Sequence, residues 1–136
     1  MTTTIGDVRE AAAAAITVAT DLRAFAYLSE ILAPPCAYIS PVDFDPRMVM
    51  GSGVTTYPFQ VRLFFAAEAD QQMQKLIDQY RDVSGTLSIT VALQDGTNWP
   101  DNLVQSVSVT RVGELQRVDW QGVAYLIFEL DFDVIW

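Results

Sequence analysis

The chain contains no histidine, one cysteine and one lysine in 136 residues, and its eight basic residues face seventeen acidic ones for a formal charge of −9. Each shortage excludes a chemistry. Without histidine there is no Ser-His-Asp triad and no Cys-His pair, because both need an imidazole base beside the nucleophile. Cys36 alone cannot build a thiolate cage for zinc or an intramolecular disulfide, so it gives no reading of redox compartment. The acidic balance opposes a chain that wraps nucleic acid by neutralising phosphates. Apolar runs are too short for a membrane span of about 20 residues. Ala11 to Ala19 includes Thr17 and runs into Thr20, Asp21 and Arg23, and Ile31 to Ile39 is broken by Pro34-Pro35. The opening Met-Thr-Thr-Thr-Ile-Gly-Asp has no basic n-region of a signal peptide. The expectation is a soluble protein with no membrane partner, working in the cytosol or within a larger particle. It has no cofactor and no metal, and it is not an enzyme.

What is present is a capacity to fold. With 51% hydrophobic and 11% aromatic residues, a chain of this length reads as one domain, 1–136, burying roughly two-thirds of its unfolded surface. Asp7 to about Ala19 has helical spacing of Val8, Ala12, Ala15, Ile16 and Ala19, with Asp7 as N-cap and Glu10 completing a capping box. Leu22 to Leu32 reads equally as helix or strand, and Cys36 to Ile39 as a short strand. Val42 to Thr55 lacks periodicity and reads as a long loop, a length that is usually functional. Thr55 to Phe65 is the clearest strand. Tyr57, Phe59, Val61, Leu63 and Phe65 lie on one face, with Thr56, Pro58, Gln60 and Arg62 on the other; Pro58 marks an edge or the start of pairing. Ala69 to Asp82 is the clearest helix, through Met73, Leu76, Ile77 and Tyr80.

Thr86 to Gln94 fits either state: Leu87, Ile89, Val91 and Leu93 alternate, while Ile89, Ala92 and Leu93 share a helical face. Strands follow at Leu103 to Val112 and from Val118 onward, the latter interrupted near Gln121-Gly122. In the last stretch Leu126, Phe128, Leu130, Phe132, Val134 and Trp136 share one face; Tyr125, Ile127, Glu129, Asp131 and Asp133 share the other. The order predicts an α+β fold, a mostly antiparallel sheet packed by two main helices.

Three groups of residues invite a functional reading. Alternation puts Glu129, Asp131 and Asp133 on one face, about 6.5–7 Å apart. The row does not converge on a point as a calcium site must, and nothing beside it suggests the cleft that a glycosidase carboxylate pair needs. It reads as charge that keeps an apolar terminal strand from edge-to-edge pairing, or as a negatively charged functional surface. The loop with Asp43, Asp45, Arg47, Met48, Val49 and Met50 is a candidate for reaching a neighbour, although turn chemistry explains Asp43 and Asp45 and a place in the core is an equal alternative for the methionines. Trp99, in a turn, and Trp136, at the end of the sequence, are candidate interface aromatics, with Trp120 as a third tryptophan; structural anchoring is the alternative. Gly51-Ser52-Gly53 is no phosphate loop, lacking the following Gly-Lys-Ser/Thr.

The succession of segments resembles the tail terminator proteins of long non-contractile-tailed bacteriophages, particularly those of actinobacterial hosts. It runs from Arg9-Glu10-Ala11-Ala12-Ala13 through Tyr27-Leu28 to Pro34-Pro35-Cys36-Ala37. Gly51-Ser52-Gly53 then precedes Tyr57-Pro58-Phe59-Gln60-Val61. Gln74-Lys75-Leu76-Ile77-Asp78-Gln79-Tyr80 ends at Ser84-Gly85, and Gly122-Val123-Ala124-Tyr125-Leu126 opens the terminal strand. The resemblance covers nearly the whole chain, and the succession carries it rather than any one motif. It implies a helix over Leu87 to Leu93. It also implies a virion protein of the head–tail junction, assembled in the host cytoplasm as a homohexameric ring. Such a ring caps the tail tube, stops its polymerisation and joins the tail to the connector, while DNA passes through the lumen without sequence-specific binding. Its partners are other copies of itself, the tube protein and the connector protein. Glu129, Asp131 and Asp133 would then line the lumen, and the 42–55 loop would reach a neighbouring subunit or the tube. Another neck or tail-completion protein and, more remotely, a carboxylate-dependent enzyme are the competing readings.

Overall fold

In a computed structural model, residues 4–20, 22–27, 35–41, 56–66, 71–100, 104, 106–120 and 122–135 are described, with backbone only at Pro41, Thr56 and Trp120. The elements run α1 (Ile5–Thr20), β1 (Arg23–Phe25), β2 (Cys36–Pro41), β3 (Thr56–Ala66), α2 (Gln71–Arg81), α3 (Ile89–Gln94), a 3₁₀ turn (Gly96–Asn98), β4 (Ser106–Val112), β5 (Gln116–Trp120) and β6 (Val123–Ile135). This is the α+β arrangement expected from sequence. The sheet has strand order β1-β2-β3-β6-β4, with β5 pairing β6 in line with β4. Every pairing is antiparallel except the short β1–β2 contact.

The alternation read from sequence sets the two faces. Phe59, Val61, Leu63 and Phe65 of β3 and Phe128, Leu130, Phe132 and Val134 of β6 are all at most 1% exposed on one face. The helices pack there. α1 contributes Val8, Ala11, Ala12, Ala15 and Ile16, α2 contributes Ile77 and Tyr80, and α3 contributes Ile89 and Leu93. The alanines of α1 leave its backbone room to lie close on the sheet, so its small residues face a neighbour, as the sequence suggested.

Several local expectations shift. α1 begins at Ile5, not Asp7. Thr4 is the cap: its Oγ1 accepts the Asp7 amide at 3.1 Å while Asp7 Oδ2 accepts the Thr4 amide at 3.0 Å. The capping box is therefore Thr4/Asp7, one turn earlier than Asp7/Glu10. The ambiguous stretch after Thr20 holds a strand, β1. Arg9 helps fix it: its Nε donates to Ala26 O at 2.9 Å, its Nη2 donates to Ile39 O at 3.0 Å, and its guanidinium lies 4.4 Å from the Tyr27 ring centre.

Thr86 to Gln94 resolves as helix α3, starting at Ile89 with Ser88 as N-cap accepting the Val91 amide. The alternation there was a coincidence of composition, because Ile89, Ala92 and Leu93 are the residues buried together. Pro58 is not on an edge strand, since β3 lies between β2 and β6. It stands opposite Asp133, third in the β3–β6 pairing that begins at Thr56 and Ile135, while the described pairing with β2 begins at Phe59 and Pro41. The two-residue turn between β5 and β6 requires a left-handed residue, supplied by Gly122 at φ 81°.

Candidate functional site: the sheet face opposite the core helices

The opposite face of the sheet divides in two. At the β5 end, Cys36, Tyr38, Phe64, Tyr125 and Ile127 form a second apolar cluster with Val118 against it. Phe64 stands edge-on to Tyr125 at 5.9 Å and tilted against Tyr38 at 5.5 Å. The Tyr38 hydroxyl is buried and has no hydrogen-bond partner among the described residues. Burial, and secondarily Cys36, pushes its pKa up, so Tyr38 stays neutral.

At the β4 end lies the acidic row. Cross-strand register places Arg62 opposite Glu129, Gln60 opposite Asp131 and Pro58 opposite Asp133 on one side of β6; Arg111 stands opposite Asp131 and Ser108 opposite Asp133 on the other. Arg62 Nε meets Glu129 Oε1 at 3.0 Å and Arg111 Nε meets Asp131 Oδ2 at 2.8 Å, with Arg111 Nη2 3.8 Å from Glu129. Gln60 Nε2 donates to both Glu129 Oε2, at 3.0 Å, and Asp131 Oδ1, at 3.1 Å. Its own Oε1 accepts from Arg62 Nε at 3.3 Å.

The row is therefore a cross-braced network. Two guanidiniums against three carboxylates leave little net charge, which corrects the picture of a bare acidic strip. The edge-protection reading also falls, because β6 lies inside the sheet with strands on both sides. The carboxylates instead occupy the centre of a polar surface and tie β3, β6 and β4 together.

Asp133 is the exception. Its cross-strand neighbours are Pro58 and Ser108, no cation among the described residues pairs with it, and it is half-buried. Burial first, then the charge of Asp131, raises its carboxyl above the ordinary range.

Arg111 reaches this face because of a bulge. Strict alternation along β4 puts Arg111 with Val107 and Val109 on the helix side. The register shift between Val109 and Arg111 inserts Thr110 as an extra residue and turns Arg111 outward. Thr110 Oγ1 donates to Asp131 O at 3.3 Å. Just beyond, Gly113 allows a close approach: its amide donates to Glu129 O at 2.6 Å, and a Cβ there would lie 2.9 Å from that carbonyl oxygen. Gln60 and Arg62 were legible as neighbours of the row once strand register was known; Arg111 was not, since nothing in composition announces the bulge.

The remaining candidates separate. Trp99 is a core anchor rather than an interface aromatic. It is 4% exposed, and its Nε1 donates to Leu93 O at 2.8 Å, tying the 3₁₀ turn to α3. Asp43, Asp45, Arg47, Met48, Val49, Met50 and Trp136 lie outside the described residues.

The depressions among the described residues include two near these elements. One of about 40 Å³ beside the network, lined by Arg111, Gly113, Glu114 and Glu129 among others, has room for about a water. The other, about 350 Å³ at the α2–α3 turn, is lined by Gln79, Asp82, Ser84, Gly85, Thr86 and Leu87. Its lining lacks the aromatic and apolar walls typical of small-molecule sites. Among the described residues no three acidic or cysteine side chains converge as a metal site, and no helix is long and apolar enough to cross a membrane. No protein-family model matches the chain, and no curated protein matches its sequence.

Proposed function

We propose that this chain is a structural virion protein, a tail terminator that assembles as a hexameric ring. The ring caps the tail tube, stops its growth and joins the tail to the connector. The reading rests on the succession of sequence segments that resembles that family. The observation in its favour is helix α3 at Ile89–Gln94, which the resemblance implied where alternation alone left helix and strand equal. The sheet face opposite helices α1, α2 and α3 is the candidate lumen wall. A surface on which Glu129 and Asp131 are held by Arg62, Arg111 and Gln60 gives passing phosphates neither a strong attraction nor a strong barrier, as a sliding contact requires.

The test is the full-length protein imaged alone and after addition to purified tail tubes of a long-tailed phage. Rings of six copies seated on one tube end, with tube growth stopped, are the expected result. A monomer at every concentration that leaves tube growth unchanged overturns the proposal. Binding to the connector but not to the tube would assign the chain to another position in the neck. In an assembled ring, Glu129, Asp131 and Asp133 on the outer wall would remove the lumen assignment.

A further inference from the structure

The sheet has two margins at which no described strand pairs further: β1 on one side, and β4 with β5 in line on the other. A strand margin offers free amides and carbonyls to any extended chain, a second copy included. At both margins a helix side chain has taken one of these amides. The Ala24 amide of β1 donates to Thr17 Oγ1 of α1 at 3.3 Å, and the Val109 amide of β4 donates to Gln94 Oε1 of α3 at 3.0 Å. Other obstacles complete each margin. β1 is three residues long, β4 is bulged after Val109, and β5 carries exposed Arg117 and Asp119. β4 is the segment most able to pair with another copy. From Ser106 to Thr110 it is an uncharged Ser-Val-Ser-Val-Thr alternation, and the Gln94 bond sits within it.

We propose that Gln94 and Thr17 are plugs on the two margins of the sheet, with Gln94 the main one, and that they keep copies of this chain from joining sheet to sheet. The inference goes beyond the ring proposal and does not rest on it. Within a ring it means that the subunits' sheets remain separate.

The test compares the full-length wild type with Gln94→Ala and Gln94→Glu, the latter keeping an oxygen that can accept the Val109 amide. In Gln94→Ala the Val109 amide exchanges with solvent about fivefold faster, the equivalent of one ordinary hydrogen bond, and in Gln94→Glu it exchanges as in the wild type. Light scattering then shows larger species for Gln94→Ala only, with new exchange protection over Ser106 to Thr110. Circular dichroism establishes that the variant is folded; if it is not, Thr17→Ala, read at the Ala24 amide, gives the equivalent comparison at the other margin. A folded Gln94→Ala protein that associates no more than the wild type overturns the inference. So does a wild-type assembly that protects the Ser106 to Thr110 amides. Failure of the ring proposal is distinguishable, because it alters the wild-type mass and leaves the difference between the Gln94 variants intact.

Discussion

The two faces of one sheet are held by different physics. On the helix side, the Phe59 and Phe132 rings stack at 5.7 Å and Phe65 and Phe128 at 6.0 Å, all at most 1% exposed. Their contribution is non-directional and scales with the apolar area removed from water. On the other face, Glu129, Asp131, Arg62 and Arg111 make directional contacts at the surface, with Arg62 45% and Arg111 53% exposed at the side chain. Solvent screens such pairs, and each contributes about 0–1 kcal/mol. The buried face therefore accounts for stability, while the exposed face is free to be shaped for contact. The largest expected effect follows. Phe128→Ala leaves a cavity among fully buried rings and costs about 3–5 kcal/mol in urea unfolding. If Arg62→Ala cost as much, the distinction between the faces would collapse.

The next effects probe the seam where the faces meet. Gly113→Ala forces a methyl group to within 2.9 Å of the Glu129 carbonyl oxygen. A backbone oxygen cannot rotate aside as a flexible side chain can, so the β4–β5 connection must shift, at about 1–3 kcal/mol. Thermal unfolding reads this directly, and an unchanged midpoint would show that the connection is loose. Arg111→Ala is smaller. It removes the 2.8 Å contact to Asp131 at about 1 kcal/mol or less, and the loss shrinks as salt is added. A salt-independent loss of several kcal/mol would mean that the network behaves as a buried one.

The same contrast explains what the sequence disclosed. The helix-side residues of β3 and β6 were legible because two strands with strict alternation have only one way to bury their aromatic faces. Which carboxylates share a face was legible for the same reason. Their state was not. Whether Glu129 stands bare or paired depends on strand register, and register places Arg62 opposite it from a strand 67 positions earlier in the sequence. Arg111 was hidden more deeply, since one inserted residue at Thr110 reverses its face. For Trp99 the sequence leaves interface and anchor equally open, because a turn-rich segment can lie at the surface or fold inward. The Asp95 cap, whose side chain accepts the Thr97 amide and hydroxyl, folds that segment inward, so the indole reaches Leu93.

The smallest effect is the most diagnostic of the outer face, and it concerns Asp133. Burial and then Asp131 raise its carboxyl above the ordinary aspartate range in the folded chain. Below that ordinary range both folded and unfolded chains hold the proton and Asp133 contributes nothing. Between the ordinary value and the raised folded value, the folded chain holds the proton more tightly, so stability falls as pH rises through this window. Above it the full cost remains. Asp95 acts in the opposite direction. The Thr97 hydroxyl, then the Thr97 amide, lowers its pKa, so the stability it supplies is present above the ordinary range and lost as pH falls through the lowered value. A single pH profile of the wild type mixes the two, whereas the difference between wild type and Asp133→Asn isolates one. Asp133→Asn should be the more stable protein at pH 7, by well under about 1 kcal/mol at this half-exposed position. The gap should close as pH is lowered through the ordinary aspartate range. If Asp133→Asn is instead less stable at pH 7, the Asp133 carboxylate has a favourable partner in solution, and the outer face holds all three of its acidic residues in place.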